Sequence, residues 1–277
     1  MTDQAKAYIF ALISVFLWST VASVFKISLR YLSPVELLFY AACFSCCILF
    51  LVLALQQKLY LLVEADAGVW KTSLLFGLLS PFLYYLVLLK AYDLLPAQQA
   101  QPLNYTWAIT LSLLSVPLLG HRLKIAEIGA ILVSYLGVLV ISTQGDVLSL
   151  KFENPFGVAL ALGSTLIWAL YWILNTKDRR DPVLGLFLNV LCSLPFIGFY
   201  LLVTEGFRTI DGAGVLGAAY IGTFEMGIAF ISWLMAMKLT KSTARIANLI
   251  FISPFLSLVL IHFFVGEKIM ISSVVGL

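Results

Sequence analysis

Long apolar runs, broken by short polar or proline-bearing turns, set the pattern of this chain. A helix that crosses a bilayer needs about 20 mostly apolar residues. Such runs predict helices over 7–29, 34–56, 70–92, 97–119 and 123–143, then over 155–176, 183–204, 212–238, 244–265 and from 267 onward. The last run reaches Leu277 after half a span, while its counterpart 123–143 is full length, so the natural chain is expected to continue. The breaks carry start signals. Tyr31-Leu32-Ser33-Pro34 and Arg179-Arg180-Asp181-Pro182 put proline at a first helical position, where its missing N–H costs little. Asp211-Gly212 opens the eighth run, and Gln144-Gly145-Asp146 with Glu153-Asn154-Pro155 brackets the linker between two groups of five.

Those two groups echo each other. Ser14-Val15-Phe16-Leu17-Trp18 in the first run matches Ser164-Thr165-Leu166-Ile167-Trp168 in the sixth, and Gly120-His121-Arg122 matches Gly266-Glu267-Lys268. A duplicated membrane unit is a common way to build a carrier, with the site at the seam between copies. Five helices per copy is an odd number, so the second copy enters from the other side. The predicted fold is all-α and integral to the membrane: ten transmembrane helices in two inverted five-helix repeats, 1–146 and 152–277, around a central cavity.

Composition strengthens this picture. Hydrophobic residues make up 62% of the chain and charged ones 11%, against roughly 45–50% and about 25% in soluble domains. A net charge of +3 gives no case for a nucleic-acid partner. The partners expected are the lipid bilayer and a small-molecule substrate; oligomeric state is left open, and a monomer is compatible with the chain. The first run is longer than a signal-peptide core of about 7–15 residues and lacks a cleavage site, so it reads as a retained helix. With ends assigned alternately, 11 of the 17 Lys and Arg fall on the side of the N-terminus. The excess of basic residues marks the cytoplasmic side. The expected location is the cell inner membrane, multi-pass, with both termini cytoplasmic.

Soluble-enzyme signatures are missing. There is no G-x-x-x-x-G-K-[ST] loop, which argues against ATP-driven pumping by this chain alone. His121 and His262 stand alone, and Cys43, Cys46, Cys47 and Cys192 lie in apolar runs without acid or His nearby, so neither metal nor disulfide nor cofactor is expected. Arg179-Arg180 between acids reads as a solvated loop that sets topology. The chemistry lies on helix faces. Ser14, Trp18, Ala22 and Phe25 form one stripe; Ser164, Trp168, Tyr171 and Asn175 form its counterpart. The fourth run holds Gln98, Gln101, Asn104, Tyr105 and Trp107, the third Ser80-Pro81 and Tyr84-Tyr85, and the eighth Thr223, Glu225 and Trp233. Tyr8, Trp70, Tyr200 and Phe207, near run ends, suit an interfacial aromatic belt. Trp18, Trp168 and Asn104 lie mid-span, where cavity lining competes with helix packing. Glu225 is the acid deepest within a predicted span, so it must face protein or water. Proton coupling, recognition of a substrate ammonium and a structural role all remain open for it. Pro81, Pro102, Pro117, Pro195 and Pro254 are expected to kink helices.

Leu17-Trp18-Ser19-Thr20, Asn104-Tyr105-Thr106-Trp107 and Trp168-Ala169-Leu170-Tyr171 resemble the YddG-type aromatic amino acid exporters. The paired halves and the stretch from Pro254 to Gly266-Glu267 resemble the wider drug/metabolite transporter superfamily with EamA repeats. Departures are Gly120-His121, where the superfamily often has Gly-Glu, and Phe39-Tyr40-Ala41, where an arginine often follows Phe-Tyr. The resemblance implies ten helices, a central cavity and export of small metabolites without ATP. The expected activity is alternating-access export of small amphipathic metabolites, aromatic amino acids first. Trp18, Trp168, Tyr84 and Tyr171 would supply flat apolar faces, Asn104, Gln98 and Ser164 the polar contacts, and Glu225 a coupling group. The rivals are a broad drug or organic-cation exporter and a channel-like facilitator.

Overall fold

The computed structural model describes residues 1–119, 125–148, 154–206, 211–240, 246 and 248–277. His121, Arg122, Lys124, Lys151, Glu153, Phe207, Arg208, Lys241 and Arg245 lie outside these residues, as does the side chain of Asn248. Every regular element among the described residues is helical. In chain order the principal helices are α1 (Asp3–Ser28), α2 (Pro34–Leu55), α3 (Ala67–Leu94), α4 (97–119), α5 (Ile125–Ser142), α6 (Pro155–Lys177), α7 (Pro182–Thr204), α8 (Gly212–Leu239), α9 (Leu249–Val265) and α10 (Ile271–Gly276). Six of those described, namely α1, α2, α3, α6, α7 and α8, are long and apolar enough to cross a bilayer. The other predicted runs form shorter or interrupted helices.

Local chemistry explains the ends. At α2, Ser33 Oγ accepts from Glu36 N at 3.2 Å and the Glu36 carboxylate accepts from Ser33 N at 2.9 Å, a capping box with Pro34 behind it. Asp66, Asn154, Asp181 and Asp211 cap α3, α6, α7 and α8 through their side-chain oxygens. The predicted run 97–119 is split into Ala97–Tyr105 and Trp107–Leu119. Pro102 removes one rung of the ladder, and Thr106 turns back on Leu103 O with both its N–H and its hydroxyl. Gly266, at φ 83°, ends α9 in the left-handed region that favours glycine. The chain then swings away, and α10 begins at Ile271 rather than at residue 267.

Packing repeats with a two-fold pattern. α1 packs along α8 and α9, and α6 packs along α3 and α4. α2 and α7 pack on each other, and α5 lies along α10. Exchanging the first five helices with the last five maps this pattern onto itself. Two close approaches obey the same exchange. Gly77 of α3 abuts the backbone of Asn189 in α7, and Gly222 of α8 abuts the backbone of Ala41 in α2, with no room for a Cβ at either glycine.

Contacts at the helix ends separate two faces. Lys58 pairs with Asp181 at 2.7 Å, and Thr240 donates to Gln4 at 3.3 Å, on the face of the N-terminus. Arg30 donates to Val265 O at 3.0 Å on the opposite face. There too Gly157, at the start of α6, meets Leu94 and Leu95 at the end of α3. α1 and α6 therefore enter the bundle from opposite faces.

The Lys58–Asp181 pair makes a pH prediction. Burial would raise the pKa of Asp181, but the Lys58 hydrogen bond, the backbone N–H groups of Leu184 and Val183 and the Lys58 charge outweigh it and hold the carboxyl below its ordinary value. A depressed folded pKa gives stability that is present above the unfolded pKa and lost as pH falls through the folded one. Asp181→Asn is expected to lower the thermal midpoint at neutral pH, with the difference from wild type shrinking below about pH 4. Thermal scans across that range check it; a gap that stays constant with pH contradicts the account.

Candidate functional site

Two broken helices shape the middle of the bundle. In α3 the backbone turns extended at Ser80 (φ −151°, ψ 124°), ahead of Pro81, and helix resumes at Tyr84. In α8 the helix widens to a π-helical turn over Ile221–Ala229, centred on Glu225. Such widened turns are frequent at functional sites because they redirect side chains. The breaks bring Tyr84, Tyr85 and Glu225 together across the seam between the halves.

Trp18, Tyr84, Asn104, Trp168 and Glu225 line one cavity of about 40 Å³. Half of its lining residues are aromatic. Tyr84 stacks on Trp168 at 4.3 Å and 19°, and Trp168 stacks on Tyr171 at 5.6 Å and 18°. Trp18 leans on Trp233 at 5.2 Å, while Phe230 touches both Trp18 and Trp168. The polar groups are mostly paired internally. Tyr84 donates to Asn104 Oδ1 at 3.3 Å, and Asn104 Nδ2 donates to Ser164 Oγ at 2.9 Å. Gln101 bonds Ser257, and Tyr105 bonds Ser253. The Tyr85 hydroxyl donates to Glu225 Oε1 at 2.6 Å. Glu225 is the one charged side chain among the described residues lining the cavity.

Side-chain layers flank the cavity toward both faces. Toward the N-terminal face, Tyr171 meets Phe76 at 6.1 Å, and the Arg180 guanidinium lies 5.4 Å from the Phe76 ring centre. Arg180 pairs with Asp178 at 2.7 Å and also donates to Ser73 and Asn189. Its side chain is only 11% exposed, so the reading of Arg179-Arg180 as a solvated loop holds for the exposed Arg179 but not for Arg180, which is largely enclosed. On the opposite face Lys26 Nζ donates to Tyr92 O and Leu95 O, both at 2.7 Å. Glu267 accepts from Ala97 N at 2.9 Å and Gln98 N at 3.3 Å, clasping the start of α4 to the α9–α10 turn. Beyond this clasp lies an open cleft of about 280 Å³ lined by Lys26, Arg30, Asp93 and Glu267. A volume of 40 Å³ holds a few waters. Small-molecule sites usually offer about 300–1,000 Å³. A molecule that fills such a site would not fit this cavity unless the helices separate.

The Glu267 clasp joins the two halves through a helix cap, an interaction worth about 0.5–2 kcal/mol. Glu267→Ala is expected to speed hydrogen exchange at the Ala97 and Gln98 amides by roughly 2- to 30-fold, the equivalent of that energy. Exchange read by mass spectrometry checks this, and unchanged protection at the start of α4 contradicts it.

The predicted site residues divide. Trp18, Tyr84, Asn104, Trp168 and Glu225 meet at the cavity. Ser164 stands behind Asn104, with its own hydroxyl bonded to Ala161 O at 2.7 Å. Tyr171 lies one layer further toward the N-terminal face. Gln98 is elsewhere: its amide bonds Lys268 O and Met270 N at 2.8 and 2.9 Å as part of the clasp. Ser14 stays on the Trp18 face of α1, where it bonds Ala229 O, but it does not line the cavity. Tyr85, which ties Glu225 down, had no role in the sequence reading beyond being an aromatic beside Tyr84. The four cysteines are free thiols, and no cluster of His, Cys, Asp or Glu fit for a metal occurs among the described residues.

Comparison with known proteins adds to this geometry. A family model described as the EamA-like transporter family matches residues 5–143 and 155–277. An uncharacterized transporter, YvbV, of Bacillus subtilis is 25% identical over 217 residues, covering 75% of this chain and 68% of that protein. The aromatic amino acid exporter YddG of Ancylobacter novellus is 25% identical over 190 residues, covering 65% of this chain and 63% of that protein. A crystal structure superposes with a TM-score of 0.71 at 20% identity, covering 98% of this chain and 92% of that one. That likeness concerns the fold.

Proposed function

This chain belongs to the EamA-like transporter family, and on that premise we propose that it exports small amphipathic metabolites, aromatic amino acids first. It is a multi-pass membrane transporter. In the proposed cycle the halves 1–146 and 152–277 rock about the cavity, which opens to one face at a time. The N-terminal face is taken as cytoplasmic, in a cell inner membrane. The observation that carries the reading is the ring-walled cavity at the seam, built from Trp18, Tyr84 and Trp168 of both halves. A substrate ring would replace part of the Tyr84–Trp168–Tyr171 stack, at about 0.5–1.5 kcal/mol per aromatic pair. Asn104, which bonds Tyr84 and Ser164 at once, would give up one of these bonds to turn its amide toward the substrate's polar head. Opening requires the Arg180 layer on one face, or the Lys26 and Glu267 contacts on the other, to part.

A second reading has its own support. One acid and no basic side chain among the described lining residues favours an organic cation, which the surrounding rings would also attract. Reconstituted vesicles tested against labelled aromatic amino acids, aliphatic amino acids and organic cations, with and without a pH gradient, separate the two. Flux of phenylalanine or tryptophan well above that of leucine supports the first reading. Flux confined to cations supports the second, and flux of neither removes both.

A further inference from the structure

We propose that Glu225 and the rings around it form an ammonium-binding subsite, so that the transporter recognises its cargo by an aromatic ring and a protonated amine, not by a carboxylate. The inference rests on the reading of this cavity as the substrate site.

Glu225 has one committed oxygen and one spare. Tyr85 donates to Oε1 at 2.6 Å, and the Trp18 indole N–H interacts with the same carboxylate. Oε2 has no hydrogen-bond partner, although the residue is only 6% exposed and lines the cavity. A buried carboxylate oxygen left without a donor is costly; it is relieved by a proton or, better, by a charged donor that brings both a hydrogen bond and a compensating charge. No neighbour supplies one, because the described lining residues include no Lys, Arg or His. Three of the cavity's other polar side chains are taken as well: Asn104 by Tyr84 and Ser164, Gln101 by Ser257, Tyr105 by Ser253. Once the internal bonds are counted, the conspicuous unmet demand is for a cationic donor at Oε2.

An alkylammonium fits that demand. One N–H would bond Oε2, and the faces of Trp18, Trp168 and Tyr84 would attract the remaining charge. A carboxylate on the same cargo would find no cation in the cavity and would be repelled by Glu225. At matched ring and chain length the affinity order is therefore monocation first, zwitterion second, anion last.

The test uses purified wild-type protein in nanodiscs, with phenethylamine, phenylalanine and 3-phenylpropionate as probes and direct binding as the readout. Phenethylamine is expected to bind about tenfold or more tighter than 3-phenylpropionate, the scale of one charge-assisted hydrogen bond. Glu225→Gln keeps an acceptor for Tyr85 and the side-chain volume; it is expected to erase most of that ratio, by weakening the amine and relieving the repulsion of the acid. If the variant does not fold, the wild-type charge series stands as the test. Equal binding of amine and acid by wild type, or an unchanged ratio in a folded Glu225→Gln protein, overturns the subsite. Phenylalanine flux in vesicles is measured separately. Amine binding without amino-acid flux supports the subsite and removes the amino-acid reading. Phenylalanine flux with no preference for the amine does the reverse. Binding of none of the three probes overturns both.

Discussion

Replacing Arg180 with methionine is expected to lower the stability of the folded protein by about 3–5 kcal/mol, the usual cost of removing one partner from a buried ion pair. The geometry sets the sign. Arg180 and Asp178 are 11% and 13% exposed, 2.7 Å apart. The same guanidinium ties Ser73 of α3 to Asn189 of α7 and lies over Phe76. Without it, Asp178 keeps a charge that has lost its partner, and three helix ends lose their common tie. Thermal unfolding in detergent is expected to fall by roughly 10 °C, since each kcal/mol moves the midpoint by about 2–4 °C in chains of comparable size. Adding Asp178→Asn removes the orphan charge and should recover part of the loss. A midpoint within a degree of wild type for the single variant would mean that Arg180 is solvated after all.

That residue also shows where the sequence stops being informative. Arg179-Arg180 between acids has the composition of a solvated loop. Arg179 is exposed, as that composition suggests; the enclosure of Arg180 depends on Ser73, Phe76 and Asn189, which no local pattern brings to it. Gln98 fails for the same reason. It occupies a polar stretch of α4 beside Gln101 and Asn104, yet its partners Glu267, Lys268 and Met270 lie at the other end of the chain. Trp18 and Trp168 were legible because their positions mid-span on matched stripes are local facts, and the echo between halves says that both face the seam. Helix starts were legible at Pro34, Pro182 and Gly212, where cap and proline act within four residues. The break at Thr106 and the late start of α10 were not, because one depends on how Thr106 turns back on Leu103 and the other on Glu267 leaving to clasp α4.

The second large effect is expected at Trp168. Its ring touches Tyr84, Tyr171, Trp172 and Phe230, at centroid distances of 4.3, 5.6, 5.5 and 5.4 Å. Trp168→Ala empties the centre of this cluster, at about 3–5 kcal/mol for a buried tryptophan truncated to alanine. In the protein that still folds, flux of aromatic substrates is expected to fall on the order of tenfold relative to aliphatic ones, the equivalent of losing one ring contact. Trp168→Phe keeps a ring in place and should retain most of the discrimination. The comparison uses vesicles matched for inserted protein, with tryptophan and leucine measured side by side. Equal loss for both substrates would make Trp168 a packing residue.

The central claim is that the cavity at the seam opens alternately to the two faces, carrying one small aromatic solute at a time. Counterflow tests this most directly. Vesicles are loaded with unlabelled phenylalanine, and entry of a trace of labelled phenylalanine is followed from outside. A carrier that rocks around one site must show saturable entry that speeds up when unlabelled substrate is present inside, with label transiently accumulating above its outside concentration. Entry that rises linearly with concentration and ignores the internal load would contradict the account and identify an open pore.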